Sequence, residues 1–183
     1  KIAANTKWID LSFNYKIIND YLYFENETND ITLLKVKPKQ FENTINYISF
    51  QAKKEIKYGK FALDNTILYQ NVDQATNIIN VPQIVTRNTI YFSDKVFKKA
   101  MQIQTGITFN YFTEFYANDY NPLLGEFYVQ NQTKIGGFPL LDFFVNARVR
   151  QTRIFLKAEH FNAAFTGRDY YAAPNYPYRD FIV

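Results

Sequence analysis

Met101-Gln102-Ile103-Gln104-Thr105-Gly106-Ile107-Thr108-Phe109-Asn110-Tyr111 alternates apolar and polar side chains with a period of two. Consecutive side chains on a strand point to opposite faces. Met101, Ile103, Ile107, Phe109 and Tyr111 therefore share one face, and Gln102, Gln104, Thr108 and Asn110 the other. Leu141 to Arg150 repeats the pattern, setting Leu141, Phe143, Val145, Ala147 and Val149 against Asp142, Asn146, Arg148 and Arg150. Arg153 to Phe161 sets Ile154, Leu156 and Ala158 against Lys157 and Glu159. Toward the N-terminus the odd positions run Ile9, Leu11, Phe13, Tyr15, Ile17, Asn19, Tyr21, Tyr23. That phase holds through Asn19-Asp20, which predicts one long strand there and no hairpin. Shorter or noisier versions cover Ile45–Ile56, Phe61–Gln70 and Asn88–Asp94.

Composition points the same way. The chain has 183 residues with 18 Phe, 15 Tyr and 19 Asn, and no Cys. Aromatic, Asn-rich, alanine-poor sequence favours pleated strands over helices. Without thiols there is no disulfide framework and no cysteine-ligated metal. Six Gly and six Pro, with this aromatic content, argue against disorder. Lys1 to Asp10 shows no signal-peptide pattern, which leaves a mature, cytosolic or fragmentary chain open. The longest uncharged stretch, Ala100 to Thr113, is too short and too polar for a transmembrane helix, but a strand crosses a bilayer in about 10 residues. Phe181-Ile182-Val183 reads as the start of a further strand.

The connections sort by length. Short ones, flanked by Lys or Arg, fall at Lys57–Lys60, Lys95–Lys99 and Gln151–Thr152. Long polar ones fall at Glu25–Asn43, Asn71–Arg87, Ala117–Pro139 and Asn162–Arg179. They alternate strictly, so short turns gather at one end of an up-and-down sheet and long loops at the other. Outer-membrane barrels have this asymmetry, whereas a soluble sandwich has no reason for it. Three further features favour a membrane barrel over a soluble, lipocalin-like one: polar faces that mix charged and uncharged groups, strands longer than the usual 5–6 residues, and aromatics near strand ends. Those aromatics are Tyr21, Tyr23, Phe24, Phe112, Phe115, Tyr116, Phe127 and Tyr128, and the expectation is that they form interfacial girdles.

Several segments resemble the putative porins of Bacteroidota. They are Gly59-Lys60-Phe61-Ala62-Leu63-Asp64-Asn65 through Leu68-Tyr69-Gln70, Gly125-Glu126-Phe127-Tyr128-Val129-Gln130-Asn131, and Lys134-Ile135-Gly136-Gly137-Phe138-Pro139-Leu140-Leu141-Asp142. The strongest match is Val149-Arg150-Gln151-Thr152-Arg153, then Lys157-Ala158-Glu159-His160, then Ala173-Pro174-Asn175-Tyr176-Pro177. The resemblance runs from about Thr44 onward and looks like the C-terminal third of such a protein. It implies a β-barrel integral to the bacterial outer membrane, with residues 1–183 forming part of one barrel domain whose N-terminal strands and final strand lie outside this sequence.

The resulting expectation is an all-β, antiparallel, up-and-down transmembrane barrel, of which this chain supplies about eight strands. Residues expected to face the lumen are Gln102, Gln104, Asn110, Asp142, Asn146, Arg148, Lys157 and Glu159. The loop carrying Tyr170, Tyr171, Asn175, Tyr176 and Tyr178 is expected to bind sugars, lipopolysaccharide or protein partners, or else to pack on itself over the barrel mouth. Arg148, Arg150 and Arg153 surround one turn; they read as an anion-favouring constriction or, preferred here, as a solvated basic turn. No catalytic constellation is visible: His160 is the one histidine, and Glu159 beside it points to the opposite face of a strand. No enzyme activity, cofactor or metal is expected, and a scattered basic surplus without a dense cluster argues against nucleic acid as a partner. Expected partners are outer-membrane lipid, lipopolysaccharide and other outer-membrane proteins. The expected role is passive diffusion of small solutes. Competing readings are a non-conducting barrel within a larger outer-membrane complex, a TonB-dependent transporter barrel, and a soluble ligand-binding barrel.

Overall fold

A computed structural model describes residues 2–5, 9–28, 35–165, 171–174, 176–177 and 181–182. In chain order the strands are β1 (Ile2–Asn5), β2 (Asp10–Ile18), β3 (Tyr21–Asn26), β4 (Val36–Phe41), β5 (Ile45–Tyr58), β6 (Phe61–Asp73) and β7 (Ile84–Val96). They continue with β8 (Met101–Phe112), β9 (Asp119–Asn121), β10 (Glu126–Tyr128), β11 (Leu140–Val149), β12 (Thr152–Ala158), β13 (Tyr171–Ala173) and β14 (Tyr176–Pro177). One eight-stranded sheet, in the order β1-β2-β5-β6-β7-β8-β11-β12, carries the architecture, and every pairing in it is antiparallel. The sheet is open, with β1 and β12 at its edges.

The short turns lie at one end. Gly59 and Arg150 each open a two-residue connection with positive φ, 60° and 52°. Between β7 and β8, Phe97, Lys98 and Lys99 all sit in the left-handed region, at 51°, 55° and 70°, and the Ala100 N–H donates to the Phe97 carbonyl at 3.0 Å. Three consecutive side chains there crowd the backbone, at roughly 1–2 kcal/mol each.

At the other end, the predicted long strand is interrupted at Asn19-Asp20, where Asp20 has φ 53°. The chain does not turn back. β3 extends β2, and β4 leads into β5, but Asn19 and Asp20 stand opposite three residues, Glu42, Asn43 and Thr44. That mismatch is a bulge, which breaks the ladder and leaves β3 and β4 as a two-stranded sheet of their own. The Thr44 hydroxyl bridges the break to Asn19 Oδ1 at 2.8 Å. Much of the expected Glu25–Asn43 loop is thus strand. Pro38 pairs with Phe24 on β4, the outer strand of this two-stranded hairpin, and the Phe24 carbonyl is taken on the other side by the Val129 N–H, so Pro38 needs no ladder donor. The eight strands also include β1, which the sequence reading missed. Phe181-Ile182 contributes only a bridge, in which the Glu159 and Ile182 N–H groups donate to each other's carbonyls at 2.7 and 3.2 Å.

Register assigns every side chain of the sheet to a face. One face carries Leu11, Phe13, Tyr15 and Ile17, then Ile48, Phe50 and Ile56, then Leu63, Ile67 and Tyr69, then Ile90 and Phe92. It continues through Ile103, Ile107, Phe109, Phe143, Val145, Ile154 and Leu156. Nothing among the described residues covers it: Ile17 is 59%, Ile90 55% and Ile154 60% exposed. None of the buried apolar residues lies on that face. The buried cluster sits instead at the long-loop end, where Phe41, Ile45 and Ile78 pack with Ile18, Tyr21, Tyr23, Val72, Ile79 and Val129. A sheet whose large apolar face has no protein layer over it has its core interaction elsewhere, with an apolar solvent.

Candidate functional site: the polar face and the loops over it

Of the charged residues on the eight strands, only Lys54, Asp73 and Asp94 share the apolar face. All the others lie on the opposite face. There the residues anticipated from sequence come together by register: Gln102 beside Arg148, Gln104 beside Asn146, and Asp142 one strand from Lys157. Asp142 Oδ2 accepts from Asn110 Nδ2 at 3.3 Å and pairs with Lys157 Nζ at 3.4 Å, while Lys157 also meets Glu159 Oε1 at 2.6 Å. Gln102, Gln104, Asn110, Asp142, Asn146, Arg148, Lys157 and Glu159 therefore form one contiguous polar surface.

The same face extends across strands whose alternation is noisier in sequence, and its residues there went unanticipated. Lys53, Glu55 and Lys57 stand on β5, Asp64 and Thr66 on β6, and Arg87, Thr89 and Tyr91 on β7. Glu55 accepts from the Tyr91 hydroxyl and pairs with Lys57 at 2.7 Å. Thr89 and Thr108 share a 3.0 Å hydrogen bond between their hydroxyls. The signal that finds these residues is the pairing register, which one strand's pattern does not contain.

The long connections fold onto the polar side. Gln70 on that face accepts from the Tyr47 hydroxyl at 2.9 Å and donates to the Pro82 carbonyl at 2.7 Å, tying down the 74–83 loop. The Val129 N–H donates to the Phe24 carbonyl at 2.8 Å, joining the 113–139 loop to β3. Asn80 donates to Asn131 Oδ1 at 2.8 Å, and Asn131 Nδ2 to the Asn77 carbonyl at 2.9 Å, joining that loop to 74–83. Gln130 is saturated: Nε2 donates to the Ala117 and Thr133 carbonyls, and Oε1 accepts from the Gln132 and Thr133 N–H groups. These bonds stitch loops from distant strands into one cap.

The aromatics expected as girdles are mostly part of this cap. Phe112 packs edge-on against Phe115 and Phe138, each with ring centroids 6.0 Å away, and Tyr128 is only 5% exposed. Sequence position near a strand end does not say which face a ring takes, and loop folding claimed them. On the apolar face the rings near the turns are Tyr58, Phe61 and Phe92, the last two 5.4 Å apart. Nearer the loops they are Tyr15, Tyr69, Phe109 and Tyr111.

A cavity of about 290 Å³ opens in the cap, with Tyr23, Glu25, Asn77, Asp119, Tyr128 and Pro174 among its walls. Burial, and the hydrogen bond its hydroxyl donates to Asp119 Oδ2 at 2.8 Å, raise the Tyr128 phenol well above its ordinary value. Tyr23 is raised too, by burial and the charge of Glu25. Of the tyrosine loop, Tyr176 meets the Tyr120 ring edge-on at 5.8 Å, and the Tyr171 main chain pairs with Pro177. Tyr170, Asn175 and Tyr178 lie outside the described residues. His160 is 1% exposed, past the end of β12, and its N–H donates to Asp142 Oδ1 at 3.0 Å. Among the described residues no group of His, Asp or Glu has a metal-binding arrangement.

An antiparallel meander with an uncovered apolar face, a charged opposite face, short turns at one end and folded loops at the other is a stretch of transmembrane β-barrel wall. The family model described as putative porin matches residues 1–183, and the chain belongs to that family. No curated protein and no solved structure matches the chain.

Proposed function

We propose that this chain forms one arc of an outer-membrane channel through which small polar solutes diffuse passively. Lipid contacts the face of Phe13, Ile90 and Ile107, and water fills the side of Gln104, Asp142 and Lys157. The observation that supports this most is the sorting of charge: the strand side chains that cannot enter hydrocarbon lie almost entirely on one side, and the large aliphatic ones on the other. A polar wall of this kind inside a membrane is tolerable only if water or paired groups satisfy it. Membership in the putative porin family agrees with this role. The reading assigns no chemistry to the chain beyond selection by size and charge.

The stitched cap favours a second reading, in which the loops close the mouth and the barrel serves as a structural subunit of an outer-membrane complex. Planar-bilayer recording of the full-length protein separates the two. Stepwise ohmic conductance supports the channel. A folded, outer-membrane protein that never conducts supports the plugged subunit, and recovery in the soluble fraction overturns both.

A further inference from the structure

We infer that the turn-side end of the polar face is an anion-selecting band made by Lys95, Arg148 and Arg153. The inference deepens the channel reading and rests on it for its physiological role. Register places Lys95 opposite Gln102, Gln102 opposite Arg148, and Arg148 opposite Arg153, a row across four adjacent strands. At about 4.8 Å per strand the row spans about 14 Å. Its three cations are exposed, and none makes an ion pair among the described residues.

Why they are unpaired follows from the layout of the wall. Its carboxylates Glu55, Asp64 and Asp142 lie in one row with Thr89 and Thr108, Glu159 continues that row past the end of β12, and Asp10 sits one row nearer the loops, beside Lys53. Three of the acids in that row are already engaged, Glu55 by Lys57 at 2.7 Å, and Asp142 and Glu159 by Lys157 at 3.4 and 2.6 Å. From that row to the turns the wall holds no further carboxylate among the described residues; its uncharged positions there run from Ala62, Tyr91, Gly106 and Phe144 through Ser93, Gln104, Asn146 and Phe155 to Gln102. Like charges set directly opposite each other on a sheet are destabilising, so Arg148 facing Arg153 adds nothing to the stability of the sheet. What the pair supplies is positive potential in a cleft with low-dielectric walls, which concentrates anions. The solute class is therefore small anions, recognised by charge, with the Gln102 amide available as a hydrogen-bond donor between them.

Two readouts test this in the full-length protein. In bilayers under a KCl gradient, the reversal potential should show chloride preferred over potassium. The Arg148→Gln/Arg153→Gln double variant should lower the anion-to-cation permeability ratio at least two-fold. A cation-preferring channel, or a ratio that the double variant leaves unchanged, overturns the inference. The second readout needs no conduction. With Gln102→Cys in a background where any thiol outside this chain is replaced by serine, a sulfonate-bearing methanethiosulfonate should react faster than its trimethylammonium counterpart. The double arginine variant should reduce that rate ratio several-fold. Equal rates for the two reagents refute the anion band even if the channel conducts, whereas a charge-biased thiol in a protein that never conducts refutes the diffusion reading alone.

Discussion

Replacing Ile90 with Arg asks directly what lies against the apolar face. Ile90 is in the middle of β7, flanked in register by Leu63 and Ile107, and is 55% exposed. If that face meets lipid, Ile90→Arg carries a guanidinium to the level of the acyl chains and costs about 2–4 kcal/mol. If it meets water, a surface substitution of this kind costs within about 0.5 kcal/mol. The internal control is Ser93→Arg, three residues along the same strand but on the opposite face, beside Gln104. There the guanidinium stays in water, and a change within about 0.5 kcal/mol is expected. The assay is urea-dependent folding of the full-length protein into phosphatidylcholine vesicles, followed by the mobility difference between unheated and boiled samples. Equal costs for the two variants, or a larger cost at Ser93, would refute the assignment of faces and with it the reasoning from register to environment.

Other outcomes follow from local geometry. A Cβ on Gly106 would meet the Ile90 carbonyl oxygen at 2.3 Å and Tyr91 Cβ at 2.6 Å, both rigid neighbours, so Gly106→Ala should destabilise by about 1–3 kcal/mol or more in the same folding assay. Lys99→Gly should do the reverse, gaining up to about 1 kcal/mol by relieving one of three consecutive left-handed residues; a loss would mean that the lysine side chain holds the turn. Tyr128 has a folded pKa above the unfolded value near 10, so its contribution to the cap is complete below about pH 10 and is lost as pH rises toward the folded value. A phenolate absorbance titration, wild type minus Tyr128→Phe, should show one tyrosine ionising after the exposed ones, with protease sensitivity of the 113–139 loop rising in the same range. Ionisation near pH 10 would contradict the burial.

What was legible in the sequence is what neighbouring residues enforce on each other. Alternation through Met101–Tyr111 and Leu141–Arg150 had to be right, because a shift by one residue would turn Ile107 and Phe143 to the polar side and Gln104 and Asn146 to the apolar one. The alternation of short and long connections was legible for the same reason, since each turn reverses the chain between two patterned strands. The strand limits were less so: β7 runs six residues beyond the predicted Asn88–Asp94, because Ile84 to Arg87 and Lys95-Val96 pair with neighbours instead of following a pattern of their own. The bulge at Asn19-Asp20 depends on Glu42, Asn43 and Thr44 across the hairpin, more than 20 residues away in sequence. The cap was hidden altogether. Its amides, Gln70, Gln130 and Asn131, look like ordinary loop polarity until their carbonyl partners are known. The polar row on β8, β11 and β12 could be named in advance, but its continuation to Lys53, Glu55 and Arg87, and the opposition of Arg148 and Arg153, required the register.

Accessibility along β8 distinguishes lipid from water on the two faces of the wall. The chain has no cysteine; with any thiol outside it replaced by serine, single cysteines between positions 102 and 110 of the full-length protein can each carry a nitroxide after reconstitution into lipid vesicles. The account predicts a period of two in collision rates. Labels at 103, 105, 107 and 109 should be relaxed by oxygen dissolved in the bilayer, and labels at 102, 104, 108 and 110 by a water-soluble nickel chelate, reduced where the cap excludes it; Gly106, which has no room for a side chain, is left unlabelled. Chelate access on both faces, or the opposite phase, would contradict a wall with lipid on one side and a polar passage on the other.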